Sequence, residues 1–363
     1  MTGASTYFSS TYAEARSKFW DAGEAAGGRM NSHQNPASGP DGGPLTADLA
    51  WFGPERPERL LLILSATHGA EGFLGSGIEV GLLRTGFQRE LPPGMACVVL
   101  HALNPFGFAW IRRTNEGNID LNRNFVDHAG SHPENAGYEL LREAICPADW
   151  SEAGRAAADA TLRAYGAEHG AAALQAAITS GQYRHADGVF YGGTAASWSN
   201  QLLSQLTRRL ARDAKRIGVI DLHSGLGPYG HGEIINGHHA DRRGFRTIVD
   251  WFGKDATSIA DGTSSSAPVE GDTVMGMERA VPEGVEIAGI TLEYGTLPLE
   301  DMVNAVRADN WLHVHGRLDS SEGRAIKSQI RYAFYPDKDD WKAMAWERAV
   351  EVSRGMVKGL AES

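Results

Sequence analysis

The stretch LLLILSATHGAEGFLG, residues 60–75, sets a continuous apolar run directly before Thr67, His68, Gly69, Ala70 and Glu71. An apolar run of this length without polar alternation reads as a strand buried on both faces, as in a parallel sheet covered by helices. The next residues, FLGSGIEVGLLRTG at 73–86, have helical periodicity and stop at a glycine. A buried strand therefore passes into a helix through a turn that carries an imidazole and a carboxylate.

Three further runs repeat the pattern: MACVVLHALNP at 95–105, RIGVIDLHSGLG at 216–227 and EIAGITLEYGT at 286–296. Ala-rich helical segments lie between them, at 135–145, 151–181 and 199–216. Residues 1–25 read as one or two amphipathic helices. The Gly/Pro/Asn-rich stretch after them reads as loop and hairpin, with LTADLAWFG at 45–53 an edge strand. Strands alternating with helices predict an α/β fold: a mixed, largely parallel central sheet with helices on both faces. The expected organisation is a single domain over 1–363, with a helical insertion at about 127–215.

The composition is 42% hydrophobic and 22% charged, ordinary for a globular protein. A net charge of -11 argues against a nucleic-acid or anionic-membrane partner, but leaves room for a local basic site that grips a carboxylate. The two cysteines, Cys97 and Cys146, are too few for a disulfide framework and read as buried thiols. No window approaches the ~18 apolar residues of a membrane span, and the N-terminus lacks a basic segment followed by an apolar run. The expected location is cytoplasmic.

The residues at the end of each apolar run are chemically suggestive. The first run ends in His68 and Glu71, the third in Asp221, Leu222 and His223, and the fourth contains Glu293. In open α/β sheets, ligands bind outside the carboxyl ends of the strands. Taken alone, His223 reads equally as a hydrogen-bonded core histidine and Glu293 as an ion-paired carboxylate. Together, two imidazoles and one carboxylate make a common catalytic zinc shell with a position left for water. A further, non-ligating glutamate is what such a site needs to take the water's proton. Asp221 shares a strand face with His223 and is a candidate to orient its ring.

The segment NPFGFAWIRRTNEGNIDLNRNF, residues 104–125, is rich in Asn and Arg where a connection would ordinarily be bland. Arg112, Arg113 and Arg123 supply guanidinium forks, and Asn122 and Asn124 supply amides. Beside a metal, such a cluster suits a substrate with an acid group, and one arginine can hold an oxyanion. A structural Asn/Arg network is the alternative. Among the remaining candidates, a place at the site is the minor reading for His231, and His238 and His239 are read as solvated. DGTSSSAPVEGD at 261–272 is read as a surface loop.

The order HxxE, NPxGF, an Arg pair, DLNRNF, a strand-end His and a strand-end Glu in LEYGT resembles the zinc carboxypeptidase A-like metallopeptidases, in an uncharacterised branch with a long helical insertion. The core is shared with aspartoacylase and succinylglutamate desuccinylase relatives. The resemblance implies one zinc ion per chain, held by His68, Glu71 and His223. It implies Glu293 as general base, Arg113 at the scissile carbonyl with Arg112 as its substitute, and Asn122 and Arg123 on the substrate carboxylate. The implied activity is hydrolysis of an amide bond in a small peptide or N-acyl amino acid. An aspartoacylase-like deacylase or esterase is the alternative, followed by an inactive member that binds a peptide or metabolite. The family's mobile tyrosine has no counterpart at its usual place before Glu293; Tyr229 and Tyr294 are the candidates to replace it.

Overall fold

The computed structural model describes residues 3–362. Eight strands form one sheet: β1 (Arg29–Ser38), β2 (Pro44–Phe52), β3 (Arg59–Leu64), β4 (Met95–His101), β5 (Arg216–Tyr229), β6 (Gly232–Asn236), β7 (Ala256–Ser258) and β8 (Glu286–Gly295), in the order β1-β2-β4-β3-β5-β8-β6-β7. The four strands built from the apolar runs, β4, β3, β5 and β8, are mutually parallel and occupy the centre. The flanking pairs β1/β2, β2/β4 and β6/β8 are antiparallel.

The helices are α1 (Tyr12–Ala25), α2 (Gly72–Thr85), α3 (Pro105–Ala109), α4 (Ala136–Ile145), α5 (Glu152–His169), α6 (Ala171–Thr179), α7 (Trp198–Leu210), α8 (Arg243–Phe252), α9 (Thr273–Ala280), α10 (Leu299–Val314), α11 (Ser321–Phe334) and α12 (Asp339–Glu362). The alternation of side chains along β3 separates two cores. Leu61 and Ile63 pack with Phe19 of α1, Ile78 of α2 and Met356 of α12. Leu60, Leu62 and Leu64 pack on the other face with Leu203 and Leu206 of α7 and Val274 of α9. This is the mixed α/β sheet covered on both faces that the sequence predicts. A third core joins α4, α5 and α6 to α10 and α11 through Tyr138, Leu162, Ile178, Met302 and Phe334. The helices between β4 and β5 thus lean on α10, beside the carboxyl ends of β5 and β8.

LTADLAWFG is not the edge strand expected. Residues 29–38, in the stretch read as loop and hairpin, form β1 outside it, the antiparallel hairpin partner of β2. That strand is mostly exposed and polar, so it carries no apolar alternation to reveal it. No helix among the described residues is long and apolar enough to cross a membrane.

Strand register sets which side chains meet at the carboxyl ends of β5 and β8. Across the parallel pair β5/β8, His223 is the partner of Glu293, and across the antiparallel pair β8/β6, Glu293 is the partner of Glu233. Directly paired residues project from the same face of a sheet, so these three side chains stand on one rung.

Candidate metal centre

His68 leaves the carboxyl end of β3 through a segment tied to the end of β4: Leu103 N donates to Ser65 O (3.0 Å) and Asn104 N to Ala66 O (3.0 Å). Gly69 is required by contact. A Cβ there would meet the backbone carbon of Gly107 at 1.9 Å, because Gly69 N and Ala70 N donate to the carbonyls of Arg113 (3.2 Å) and Arg112 (2.7 Å). The Asn/Arg-rich segment is thereby pressed onto the His68–Glu71 turn.

His68, Glu71 and His223 are all buried, and their ligand atoms lie within 4.8 Å of one another. His68 Nδ1 is 2.9 Å from Glu71 Oε1, and His223 Nδ1 is 2.9 Å from Glu71 Oε2. Each ring also turns its second nitrogen to an aspartate. His68 Nε2 lies 3.0 Å from Asp120 Oδ1. His223 Nε2 lies 3.0 Å from Asp221 Oδ2, but out of line for a hydrogen bond, so that contact is one of charge. Asp221 is held in turn by the hydroxyls of Thr67 (2.8 Å) and Thr273 (2.7 Å).

These contacts fit a cation. A neutral imidazole has one N–H and cannot donate to carboxylates on both sides. A metal held by the two imidazoles and the Glu71 carboxylate would leave the His68 Nε2–H for Asp120, the usual outer support of a metal-bound histidine, with the Asp221 charge beside His223. Burial alone would raise the Glu71 carboxyl, but the imidazoles of His68 and His223 hold it well below the ordinary carboxylate range. Burial likewise opposes charge on Asp120, and Arg113 and His68 override it. Nitrogen and oxygen donors in this ratio suit zinc among other divalent ions.

Glu293 is buried beside the three donors, with Oε1 accepting from Leu226 N (3.0 Å). Burial, then repulsion from Glu71, push its carboxyl up to about 8. Arg113 lies over the donors. Its Nε donates to Asp120 Oδ2 (2.9 Å) and its Nη1 to Glu71 Oε1 (3.3 Å), while Nη2 is 2.9 Å from His68 Nε2. Asn122 and Arg123 line the same cavity, which has a volume of about 120 Å³. Asn122 Oδ1 accepts from Thr273 N (3.2 Å), which turns the amide nitrogen away from α9. Arg123 gives Nε and Nη2 to Thr179 O, and Nη1 to Asn122 O (2.9 Å). Both guanidinium groups stack on Phe190, Arg113 at 5.2 Å and Arg123 at 5.7 Å from its centroid. Phe190 takes this place with a positive φ of 54°, strained for a residue with a side chain.

The other sequence candidates fall elsewhere. Arg112 turns away to Asp309 (3.3 Å) and Asn118 (2.8 Å). Tyr229 is exposed and bonds Asp340 (3.2 Å), and the buried Tyr294 is outside the cavity lining. His231 is exposed and also outside the lining. His238 is buried rather than solvated, because Glu278 (2.6 Å) and Gly289 N (2.9 Å) hold both its nitrogens. The Ser/Gly-rich loop is a wall of the cavity through Ser266, Ala267, Val269 and Asp272. The Glu233 carboxylate anchors it, accepting from Ser265 N (3.1 Å), Ser265 Oγ (2.5 Å) and Thr257 Oγ1 (2.5 Å). Asp120, which bridges His68 and Arg113, lies within DLNRNF but has no distinguishing mark in the sequence.

The chain belongs to the family described as "Protein of unknown function (DUF2817)", whose model matches residues 8–348. No curated protein matches the sequence. Among solved structures, the chain is similar to a carboxypeptidase A from Helicoverpa armigera, at 12% identity and TM-score 0.46, covering 90% of this chain and 74% of that one. It is similar to an aspartoacylase family protein from Mesorhizobium loti, at 16% identity and TM-score 0.40, covering 81% and 68%. It is also similar to a murein-tripeptide amidase from Escherichia coli O157, at 18% identity and TM-score 0.37, covering 80% and 90%.

Proposed function

We propose that this protein is a zinc-dependent hydrolase of an amide bond in a small peptide or N-acyl amino acid that carries a free carboxylate. The observation that carries the reading is the convergence of His68, Glu71 and His223, with the non-ligating Glu293 in register with His223 on the neighbouring strand. Bound at those three residues, zinc would polarise the scissile carbonyl and acidify a water near neutral pH.

The chain's own residues supply the rest. Glu293 receives the proton of the attacking water at its carboxylate and returns it to the leaving amine. A cation beside Glu71 would offset the repulsion that adds to burial in raising Glu293, and so would favour the ionised form of the base. Arg113, once Glu71 binds a metal, is free to present its Nη atoms to the carbonyl oxygen as charge develops there. The Asn122 amide and the unspent N–H groups of Arg123 receive the substrate carboxylate. Asp120 and Asp221 hold the imidazoles in place.

The test is turnover of dipeptides and of N-acyl amino acids by zinc-loaded protein, with and without a chelator. Chelator-sensitive hydrolysis of either class supports the reading. Activity that survives full removal of the metal overturns it.

A further inference from the structure

Next to the cavity that holds the metal donors lies a second one, of about 230 Å³, between α5 and α6 on one side and α10 on the other. The two share a wall: Gln175, Thr179, Leu299 and Val303 line both. Leu162, Leu174 and Ile178 face Leu299 and Val303 across the second cavity. Leu299 is 38% exposed at the junction, a large apolar side chain left open where the cavities meet. Arg163 and Glu300 line its exposed rim, and Arg307 is tied into the surrounding structure. Arg307 donates to Asp159 (2.7 Å), Asn304 (2.6 Å), Ile145 O (3.0 Å) and Ala144 O (2.8 Å). An extended peptide needs partners for its own N–H and C=O groups, and this groove offers apolar walls and a polar rim.

Building on the proposed hydrolase activity, we propose that this groove binds the acyl portion of the substrate as an unbranched aliphatic chain, so that the preferred substrate is a medium-chain N-acyl amino acid. Of the two carboxylate partners, Arg123 is fixed to Thr179 at the shared wall, and Asn122 to Thr273 at the α9 side of the cavity; the direction is taken from Asn122. A substrate with its carboxylate there extends its other end toward α10 and the groove. At roughly 30 Å³ per methylene-sized group, 230 Å³ accommodates about eight.

The experiment measures kcat/KM for N-acetyl-, N-hexanoyl-, N-octanoyl- and N-decanoyl-leucine below their micelle concentrations. Each fully buried methylene adds roughly fourfold, so even partial burial equivalent to two or three of them gives about a thirtyfold gain from acetyl to octanoyl. The gain should level off near eight to ten carbons. Ala171→Trp, at the exposed start of α6, and Leu174→Gln should each bring the octanoyl-to-acetyl ratio to within about threefold of unity. Calorimetric binding of the same compounds to chelator-treated protein provides a readout independent of turnover. Hydrolysis without length dependence in wild type overturns the groove and leaves the hydrolase reading standing. Length dependence that follows the leaving amino acid's side chain instead of the acyl chain also overturns it. Failure to hydrolyse any of them, with octanoyl-leucine still binding at least about tenfold tighter than acetyl-leucine and Ala171→Trp abolishing the difference, supports the groove and counts against the hydrolase reading. Binding that ignores chain length overturns the groove whether or not the protein hydrolyses anything.

Discussion

Asp120 stands between His68 and Arg113, with one carboxylate oxygen 3.0 Å from His68 Nε2 and the other 2.9 Å from Arg113 Nε. A single buried carboxylate thus orients a metal donor and the cationic group above it. Asp120→Asn keeps the shape but removes the charge. Zinc affinity should fall by about ten- to a hundredfold, the usual cost of losing such a support. Competition against a chromophoric chelator measures this, and unchanged affinity would mean that His68 is oriented by something else.

Glu71 and Glu293 should separate cleanly. Glu71→Gln should release the metal, since it takes one of three protein ligands from the site. Glu293→Gln should keep about one zinc per chain by elemental analysis while turnover nearly vanishes, because an amide cannot accept the water's proton. Equal metal loss in the two variants would show that their roles are misassigned.

Substrates with a free carboxylate should be preferred to their amides by roughly tenfold to a hundredfold in kcat/KM, given about 1.5–3 kcal/mol for a charge-assisted hydrogen bond. Arg123→Lys should lose most of that preference while zinc content holds, since an ammonium lacks the planar fork. Equal rates on acid and amide in wild type would reduce Arg123 to its bonds with Thr179 and Asn122.

A pH effect on stability should appear away from the metal. His313 of α10 is half-buried, and desolvation, with the nearby Arg112 and Lys327, pushes its imidazole down to about 3. Lys327 Nζ lies 2.7 Å from His313 Nε2 and 2.5 Å from Asp309 Oδ1. Between pH 6.5 and 3 the unfolded chain binds a proton at this residue that the folded chain refuses. Stability therefore falls as pH drops through that window, by up to about 2 kcal/mol between pH 7 and 5. Asp309 is held below its usual range: burial opposes that, and Lys327 and Arg112 outweigh it. Its contribution is lost only at more acid pH. His313→Gln should lose correspondingly less stability than wild type between pH 7 and 5 in urea titrations. Parallel losses in both proteins would place the acid sensitivity elsewhere.

The centre of the fold and the meeting of His68, Glu71 and His223 were legible because they rest on the strongest sequence signals. Strands β3, β5 and β8 are unbroken apolar runs, and a titratable residue at the carboxyl end of each must fall on the same sheet edge. Polar β1 and the short strands β6 and β7 gave no comparable periodicity. The roles of Phe190, of the 261–272 loop and of Asp120 depend on how segments remote in sequence dock against one another. No local pattern encodes that the 104–125 segment is pressed against Gly69, or that α5 and α6 lean on α10. Arg112 and Arg113 are adjacent in the chain, and only this docking decides which one reaches the donors.

The rung His223–Glu293–Glu233 carries a candidate metal donor, the proposed base and the anchor of the cavity wall on three successive strands. Side chains alternate faces along a strand, so a one-residue slip of β6 against β8 would turn Glu233 to the opposite side. Ser265 and Thr257 would lose their acceptor, and the 261–272 segment its attachment. The β5/β8 pairing, which sets His223 beside Glu293, would be untouched. Enclosure of the substrate and retention of the ion are therefore mechanically separable in this sheet. Damage confined to its β6–β7 margin would leave the three candidate metal donors together, in an open trough.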